Sequence, residues 1–228
     1  MKVIGHLGFR SGSKGLKGKN IKLLNGKPLF LWTLEQLLRL EYISGVIVST
    51  DNADAYKTSV DLGALDIGIR SKDLSGDNIA KLDVWKDSAR RYLDLGYDFD
   101  AMLDLDCTSP LRTEEDISGV LEKFIATQSE ISLAITQARK NPYFNLLEES
   151  ADGFLKISKG DGHVFARQSA PDVYEHVSSI YVISKDFLLN GERLYDARMT
   201  GYEIPYERSF DIDSDTDWQI INMLFNRK

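Results

Sequence analysis

The chain has 228 residues, 43% of them hydrophobic and 28% charged, with a formal net charge of −7. The length suits one large domain spanning 1–228, and no run approaches the roughly 18 apolar residues of a membrane helix. The acidic balance argues against nucleic acid as a partner, and the single cysteine, Cys107, excludes an internal disulfide and fits a reducing cytoplasm.

The opening residues read as a strand, Val3 to Phe9, rather than as a leader peptide, so a cytoplasmic protein is expected. Directly after it comes Arg10-Ser11-Gly12-Ser13-Lys14-Gly15-Leu16-Lys17-Gly18-Lys19-Asn20. Its glycines allow a sharp turn and close backbone approach to a ligand, and backbone N–H groups in such a loop make a concavity that favours anions. Arg10, Lys14, Lys17 and Lys19 concentrate positive charge there, which asks for a polyphosphate. The spacing is neither Gly-x4-Gly-Lys-Ser/Thr nor Gly-x-Gly-x-x-Gly. Arg10 suits bidentate contact with phosphate oxygens, Lys19 charge neutralisation, and Asn20 the edge of a base.

Pro28 to Leu40 has helical periodicity, with Pro28 at a first helical position. Gly45 to Thr50 is a β-branched strand, and Asp51 is expected to cap a helix running to about Leu62. Ile67–Ile69 reads as a third short strand and Asp83 to Leu95 as an amphipathic helix. Phe99 to Leu105 reads as a central strand, Thr113-Glu114-Glu115-Asp116 as a helix start, and Ile131 to Thr136 as a further strand. This alternation predicts an α/β fold, a mostly parallel sheet with helices on both faces. Residues 141–175, rich in Asn, Gly, Ser, Lys and Asp, are expected to leave the sheet and serve a partner subunit or the site's rim. Ser178 to Ile183 reads as a strand and Trp218 to Phe225 as a final helix.

Ligands of open α/β sheets bind beyond the carboxyl ends of the strands. That rule gathers Arg10–Asn20, Asp51, Arg70 and Asp106 around one crevice. In the segment 103–112, Asp106 follows a strand end and is expected to face the crevice, with Asp104 alternating with it; Cys107 reads as a small filler. Near the C-terminus, Asp211 and Asp213 project to one face if 210–213 is extended. Such a pair suits Mg²⁺ held together with substrate phosphates, whereas Asp215 and Asp217 read as caps of the last helix. His6, His163 and His176 have no metal-ligand spacing.

The loop Arg10-x-Gly-Ser-Lys-Gly-x-x-x-Lys-Asn followed by Leu24-Asn25-Gly26-Lys27-Pro28-Leu29 resembles the opening of the CMP-sialic acid synthetases (acylneuraminate cytidylyltransferases). Val48-Ser49-Thr50-Asp51, Thr108-Ser109-Pro110-Leu111-Arg112 with Glu115-Asp116-Ile117, and Asn141-Pro142-Tyr143-Phe144-Asn145 continue the likeness in colinear order. Arg167-Gln168-x-Ala-Pro171-x-x-Tyr174, Ile180-Tyr181 and Asp211-Ile212-Asp213 complete it. The resemblance implies a nucleotidyltransferase fold and a homodimer whose exchanged extension completes the neighbour's site. It also implies Mg²⁺- or Mn²⁺-dependent transfer of CMP from CTP to a nonulosonic sugar of a bacterial surface glycan, with release of pyrophosphate.

By the same resemblance Arg10, Lys19 and Asp106 are the catalytic candidates. Phe9, Arg10, Ser13, Lys14, Asn20, Arg70 and Asp77 are nucleotide-binding candidates, and Asp106, Arg112, Arg167, Gln168 and Tyr174 substrate-binding ones. Asp211, Asp213 and Asp106 are metal candidates. The chain departs from the family pattern at Asp106-Cys107, where Gln-Pro is usual, at Asp77 to Ala80, and at Val177 to Ser179. A carboxylate at 106, as in the wider group of sugar-phosphate nucleotidyltransferases, leaves a second acceptor class open: a phosphorylated acceptor giving an NDP-linked product. Retention of Arg10, Lys19, Asp211 and Asp213 speaks against a chain that binds nucleotide without turning it over.

Overall fold

A computed structural model describes residues 1–12 and 15–226; the expectations for Ser13 and Lys14 lie outside the described residues. The elements in chain order are β1 (Val3–Gly8), β2 (Leu23–Leu24), β3 (Lys27–Pro28), α1 (Leu29–Arg39), β4 (Ile43–Ser49) and α2 (Ala53–Asp61). There follow α3 (Lys81–Asp94), β5 (Ala101–Leu105), α4 (Glu114–Thr127), β6 (Ile131–Gln137), β7 (Leu147–Glu149) and β8 (Leu155–Ile157). The last are β9 (Tyr174–Ser184), α5 (Lys185–Asn190), β10 (Met199–Glu203) and α6 (Asp215–Phe225).

A six-stranded sheet runs in the order β10-β6-β9-β5-β1-β4. β1 is parallel to β4 and β5, and β10 to β6; β9 is antiparallel to both of its neighbours. The predicted mostly parallel sheet with helices on both faces is therefore observed. Burial explains the strands' composition: every residue of β5 is buried, as expected for a strand covered on both faces. One apolar layer joins α1 and α4 to the sheet through Phe30, Leu34, Leu37, Ile117, Val120 and Phe124. The opposite layer joins α3 and α5 through Leu82, Trp85, Ala89, Tyr92, Phe187 and Leu188.

Three local expectations differ. Ile67–Ile69 is not a strand: Leu65 makes an isolated parallel bridge to Ile47, and Gly68, at φ +80°, turns the chain away. Asn52, not Asp51, caps α2, accepting from the Ala55 N–H at 2.9 Å; Asp51 is drawn instead to the Ser11 N–H, 2.6 Å away. Pro28 ends β3 just before α1, because Asn25 and Gly26, both at positive φ, close a tight β2–β3 hairpin.

The 141–175 stretch does leave the sheet. It carries the β7–β8 hairpin, with Leu147 opposite Ile157, and exposes Phe154, Leu155 and Phe165. α4 begins with a reciprocal capping box between Thr113 and Asp116. α6 begins with one between Ser214 and Asp217, so Asp217 acts as the cap expected of it.

Candidate active site

β1 has β4 on one side and β5 on the other, so the strand order reverses at β1. A crevice is expected beyond the carboxyl ends of such strands. A cleft of about 370 Å³ lies there, lined by Gly8, Phe9, Arg10, Gly12, Gly15, Lys19, Asn20, Asp106, Cys107, Thr108 and Asp213. It brings together the basic glycine loop, the loop after β5 and the acidic tail, which are distant in sequence.

Each wall has its own anchor. Phe9 is buried, stacks on Phe30 at 5.1 Å and donates its N–H to the Ser49 carbonyl. The Arg10 guanidinium ion-pairs with Asp77 at 2.6 Å, so Asp77 meets the loop through Arg10. Asn20 donates from Nδ2 to the Arg10 carbonyl and accepts at Oδ1 from the Cys107 thiol, 3.1 Å away. Cys107 is thus more than filler: burial pushes its thiol up to about 12, so it remains a protonated donor.

The tail is fastened by Ile212, which is fully buried against Leu16, Leu24, Leu29, Leu111 and Ile221. Burying a side chain of that size stabilises by roughly 2 kcal/mol. The Ile212 N–H also donates to the Thr108 carbonyl. With Ile212 turned inward, Asp211 and Asp213 flank it on the other side. Lys19 ties loop to tail, its Nζ 2.5 Å from the Ile212 carbonyl and 2.7 Å from the Asp213 carboxylate.

Burial and then the neighbouring Asp213 charge raise the Asp211 carboxyl above the usual range. Two carboxylates that repel each other beside a polyphosphate-sized cleft fit a hard cation that keeps some ligands for the substrate. Among the described residues no group of three or more His, Cys, Asp or Glu side chains is placed to hold a metal by itself. Asp106 and Asp213 line the same cleft from different loops.

Asp106 belongs to a different network, which sequence reasoning missed. In register, His6 lies opposite Asp104 on β1–β5, and Asp104 opposite Tyr181 on β5–β9. Lys81, Trp85 and Ser88 of α3 have helical spacing and cover this row. Lys81 Nζ lies 2.9 Å from Asp104 and 2.5 Å from Asp106, with the Tyr181 ring 4.1 Å away. His6 Nδ1 is 2.5 Å from Asp104, and Nε2 is 3.0 Å from the Ser88 hydroxyl.

Burial works to raise the Asp104 carboxyl, but the Lys81 charge and the His6 contact prevail and hold it well below the usual carboxylate range. Asp106 is raised, by burial and by Asp104, against the pull of Lys81. A cation four residues beyond Asp77, at the start of α3, takes on this role only once that helix is docked on the sheet.

Two basic candidates are buried against the protein. Arg70 is 7% exposed, and its guanidinium donates to the Ser49 hydroxyl and carbonyl beneath the end of β4. Arg112 is 3% exposed and donates to the Asp106 and Ser109 carbonyls, Thr33 and Gln36, which shapes the loop after β5. Burial lowers both to about 10. Both guanidinium groups donate to protein acceptors, and neither lines the cleft.

Arg167 and Gln168 line a second cleft of about 250 Å³ with Gln137, Asn141 and Pro171, and Arg167 also borders a third with Arg139 and Tyr206. Tyr174 begins β9, half exposed, opposite Gln137. None of the three lines the phosphate cleft of its own chain.

A cleft that joins a basic glycine loop to an acidic tail, at the switch point of an α/β sheet, is the arrangement of a nucleotidyltransferase. The family model described as cytidylyltransferase matches residues 8–225, and the chain belongs to that family of enzymes. It is 32% identical over 220 residues, 96% of this chain and 93% of the relative, to the post-translational flagellin modification protein B of Campylobacter coli. The identity and coverage are the same for the CMP-N,N'-diacetyllegionaminic acid synthase of Campylobacter jejuni. The N-acylneuraminate cytidylyltransferase of Streptococcus agalactiae is 27% identical over 99% of this chain and 54% of its own length. Among solved structures, a CMP:2-keto-3-deoxy-manno-octonic acid synthetase complexed with CTP has the same fold, with a TM-score of 0.69 at 16% identity, covering 100% of this chain and 99% of the other. No helix among the described residues is long and apolar enough to cross a membrane.

Proposed function

We propose that the chain transfers CMP from CTP to the anomeric hydroxyl of a nonulosonic, sialic-acid-like sugar and releases pyrophosphate, for a bacterial surface glycan. The observation that carries the reading is the junction of basic loop and acidic tail through Lys19; the relatives named as CMP-sugar-acid synthases supply the acceptor class. Arg10 and Lys19 neutralise the phosphates, and Asn20, oriented by Arg10 and Cys107, meets the nucleotide. Positioning and charge neutralisation supply most of the rate in such transfers.

Asp211 and Asp213 hold Mg²⁺ or Mn²⁺. When bound, the metal neutralises charge on the phosphates and fixes their geometry.

The reading includes a cytoplasmic homodimer. Phe154, Leu155 and Phe165 are 72%, 65% and 84% exposed on the excursion, an apolar surface that favours a second copy. Arg167, Gln168 and Tyr174 lie off their own chain's phosphate cleft, and in the dimer they approach the acceptor from the neighbour, Arg167 facing its carboxylate.

The test is pyrophosphate release from CTP and Mg²⁺ with a panel of nonulosonic acids and sugar phosphates. Release with at least one nonulosonic acid is expected. Release only with a phosphorylated acceptor would sink the reading.

A further inference from the structure

We propose that Lys81 is the built-in counter-ion of Asp106, standing where a divalent cation would otherwise sit, so that Asp106 receives the acceptor hydroxyl rather than a metal. The proposal rests on the CMP-transfer reading above and deepens it.

Asp106 lines the phosphate cleft, and its side chain is 18% exposed. Asp104, two residues earlier on the same face of β5, is fully buried. One ammonium serves both, at 2.5 and 2.9 Å. It is fixed from three elements: its own helix α3, the two carboxylates at the end of β5, and the Tyr181 ring of β9, 4.1 Å away. Trp85 flanks it at 5.2 Å.

A hard cation such as Mg²⁺ needs open oxygen ligands in near-octahedral geometry. Here Asp106 Oδ2 is taken by Lys81. Asp104 is turned into the core toward His6 and Lys81, and the Asp106 carbonyl is taken by Arg112 at 2.5 Å. A divalent ion at Asp106 would meet the Lys81 and Arg112 charges at close range; the other carboxylate lining this cleft is Asp213, on the tail. The tail places two acids with one residue between them, and burial and then the Asp213 charge raise the Asp211 carboxyl. The metal thus belongs to Asp211 and Asp213.

A cleft carboxylate that shares one lysine with a second carboxylate keeps net negative charge between them, so it repels a phosphate monoester but accepts a hydrogen bond from a neutral hydroxyl. As the acceptor oxygen bonds to the α-phosphorus, the bond from that phosphorus to the bridging oxygen breaks. The electron pair leaves with pyrophosphate, and the hydroxyl proton passes to Asp106. Lys81 is the positioning residue that keeps this carboxylate ionised and aimed.

Mn²⁺ titrated into the full chain with a non-reactive CTP analogue, read by electron paramagnetic resonance, reports metal binding without turnover. Asp211→Asn is expected to weaken Mn²⁺ binding about 10-fold or more, and Asp106→Asn to leave it unchanged. Asp106→Asn should lower kcat for the hydroxyl acceptor about 100-fold while the KM for CTP holds. Lys81→Met should reproduce that kcat loss and Lys81→Arg should recover part of it, with thermal melts separating either from a folding defect. If Asp106→Asn weakens Mn²⁺ binding as much as Asp211→Asn, Asp106 is a metal ligand and the proposal is overturned. Absence of pyrophosphate release with every nonulosonic acid would overturn the acceptor reading instead, and the Mn²⁺ comparison would still decide the place of the metal.

Discussion

Gly15 sits where the basic loop touches the tail: a Cβ there would lie 2.0 Å from the Asp213 carbonyl oxygen, closer than any side-chain carbon is found. Its absence of a side chain lets loop and tail meet, beyond any approach to phosphate. Gly15→Ala should push the tail off and cut kcat/KM for CTP about tenfold, a loss of about 1.4 kcal/mol in transition-state stabilisation; an unchanged value in steady-state assays would refute that contact.

Asp104 is the other residue whose environment sets its consequence. Removing one partner of a buried ion pair costs about 3 kcal/mol or more. Asp104→Asn should therefore lower unfolding stability by about that amount in urea titrations; a change within a few tenths would show that the pair is not buried as described. Cys107 gives a pH prediction. Its folded pKa of about 12 is raised above the unfolded value near 9, so its contribution to stability is present below about 9 and lost as pH rises through 12. At pH 8 native protein should react with iodoacetamide far more slowly than urea-unfolded protein, and equal rates would count against a protected thiol.

At the scale of elements, the helices that were easiest to read are those whose ends carry their own chemistry. Thr113 and Asp116 cap α4 reciprocally, and Thr113→Ala should cost about 1 kcal/mol, measured as a lower urea midpoint with an unchanged slope. The strands β1, β5 and β6 were legible because interior strands are short apolar runs bounded by turn residues, and β4, at the sheet edge, because it is a β-branched run. The Ile67–Ile69 segment has the same composition yet is no strand, because its one sheet contact is a single bridge at Leu65 and Gly68 then bends it away. Asp51 and Asn52 were both competent caps by residue type. The choice fell to Asn52 because the Ser11 N–H, which is forty residues away in sequence, claims Asp51.

Across the whole molecule, the proposed dimer has the excursion at 141–175 complete the neighbour's site. Phe154→Asp together with Leu155→Asp should shift the mass in light scattering from dimer to monomer and lower activity with it. A double variant that stays dimeric would place the interface elsewhere.

By itself the sequence determined the α/β class, the basic glycine loop and the acidic pair, because each of these is local: periodicity, glycine spacing and alternation of side chains along a strand need no partner elsewhere in the chain. Only the tertiary structure decided which charges face the ligand. Arg70 and Arg112 read as cations available to substrate, yet folding turns their donors onto Ser49 and onto the loop after β5. Lys81 lies just before the helix expected over Asp83 to Leu95 and carries no local signal, yet docking of α3 on the sheet sets it between Asp104 and Asp106. The reason is that a charge takes its role from its nearest counter-charge, and counter-charges are chosen by packing in three dimensions rather than by neighbours in sequence.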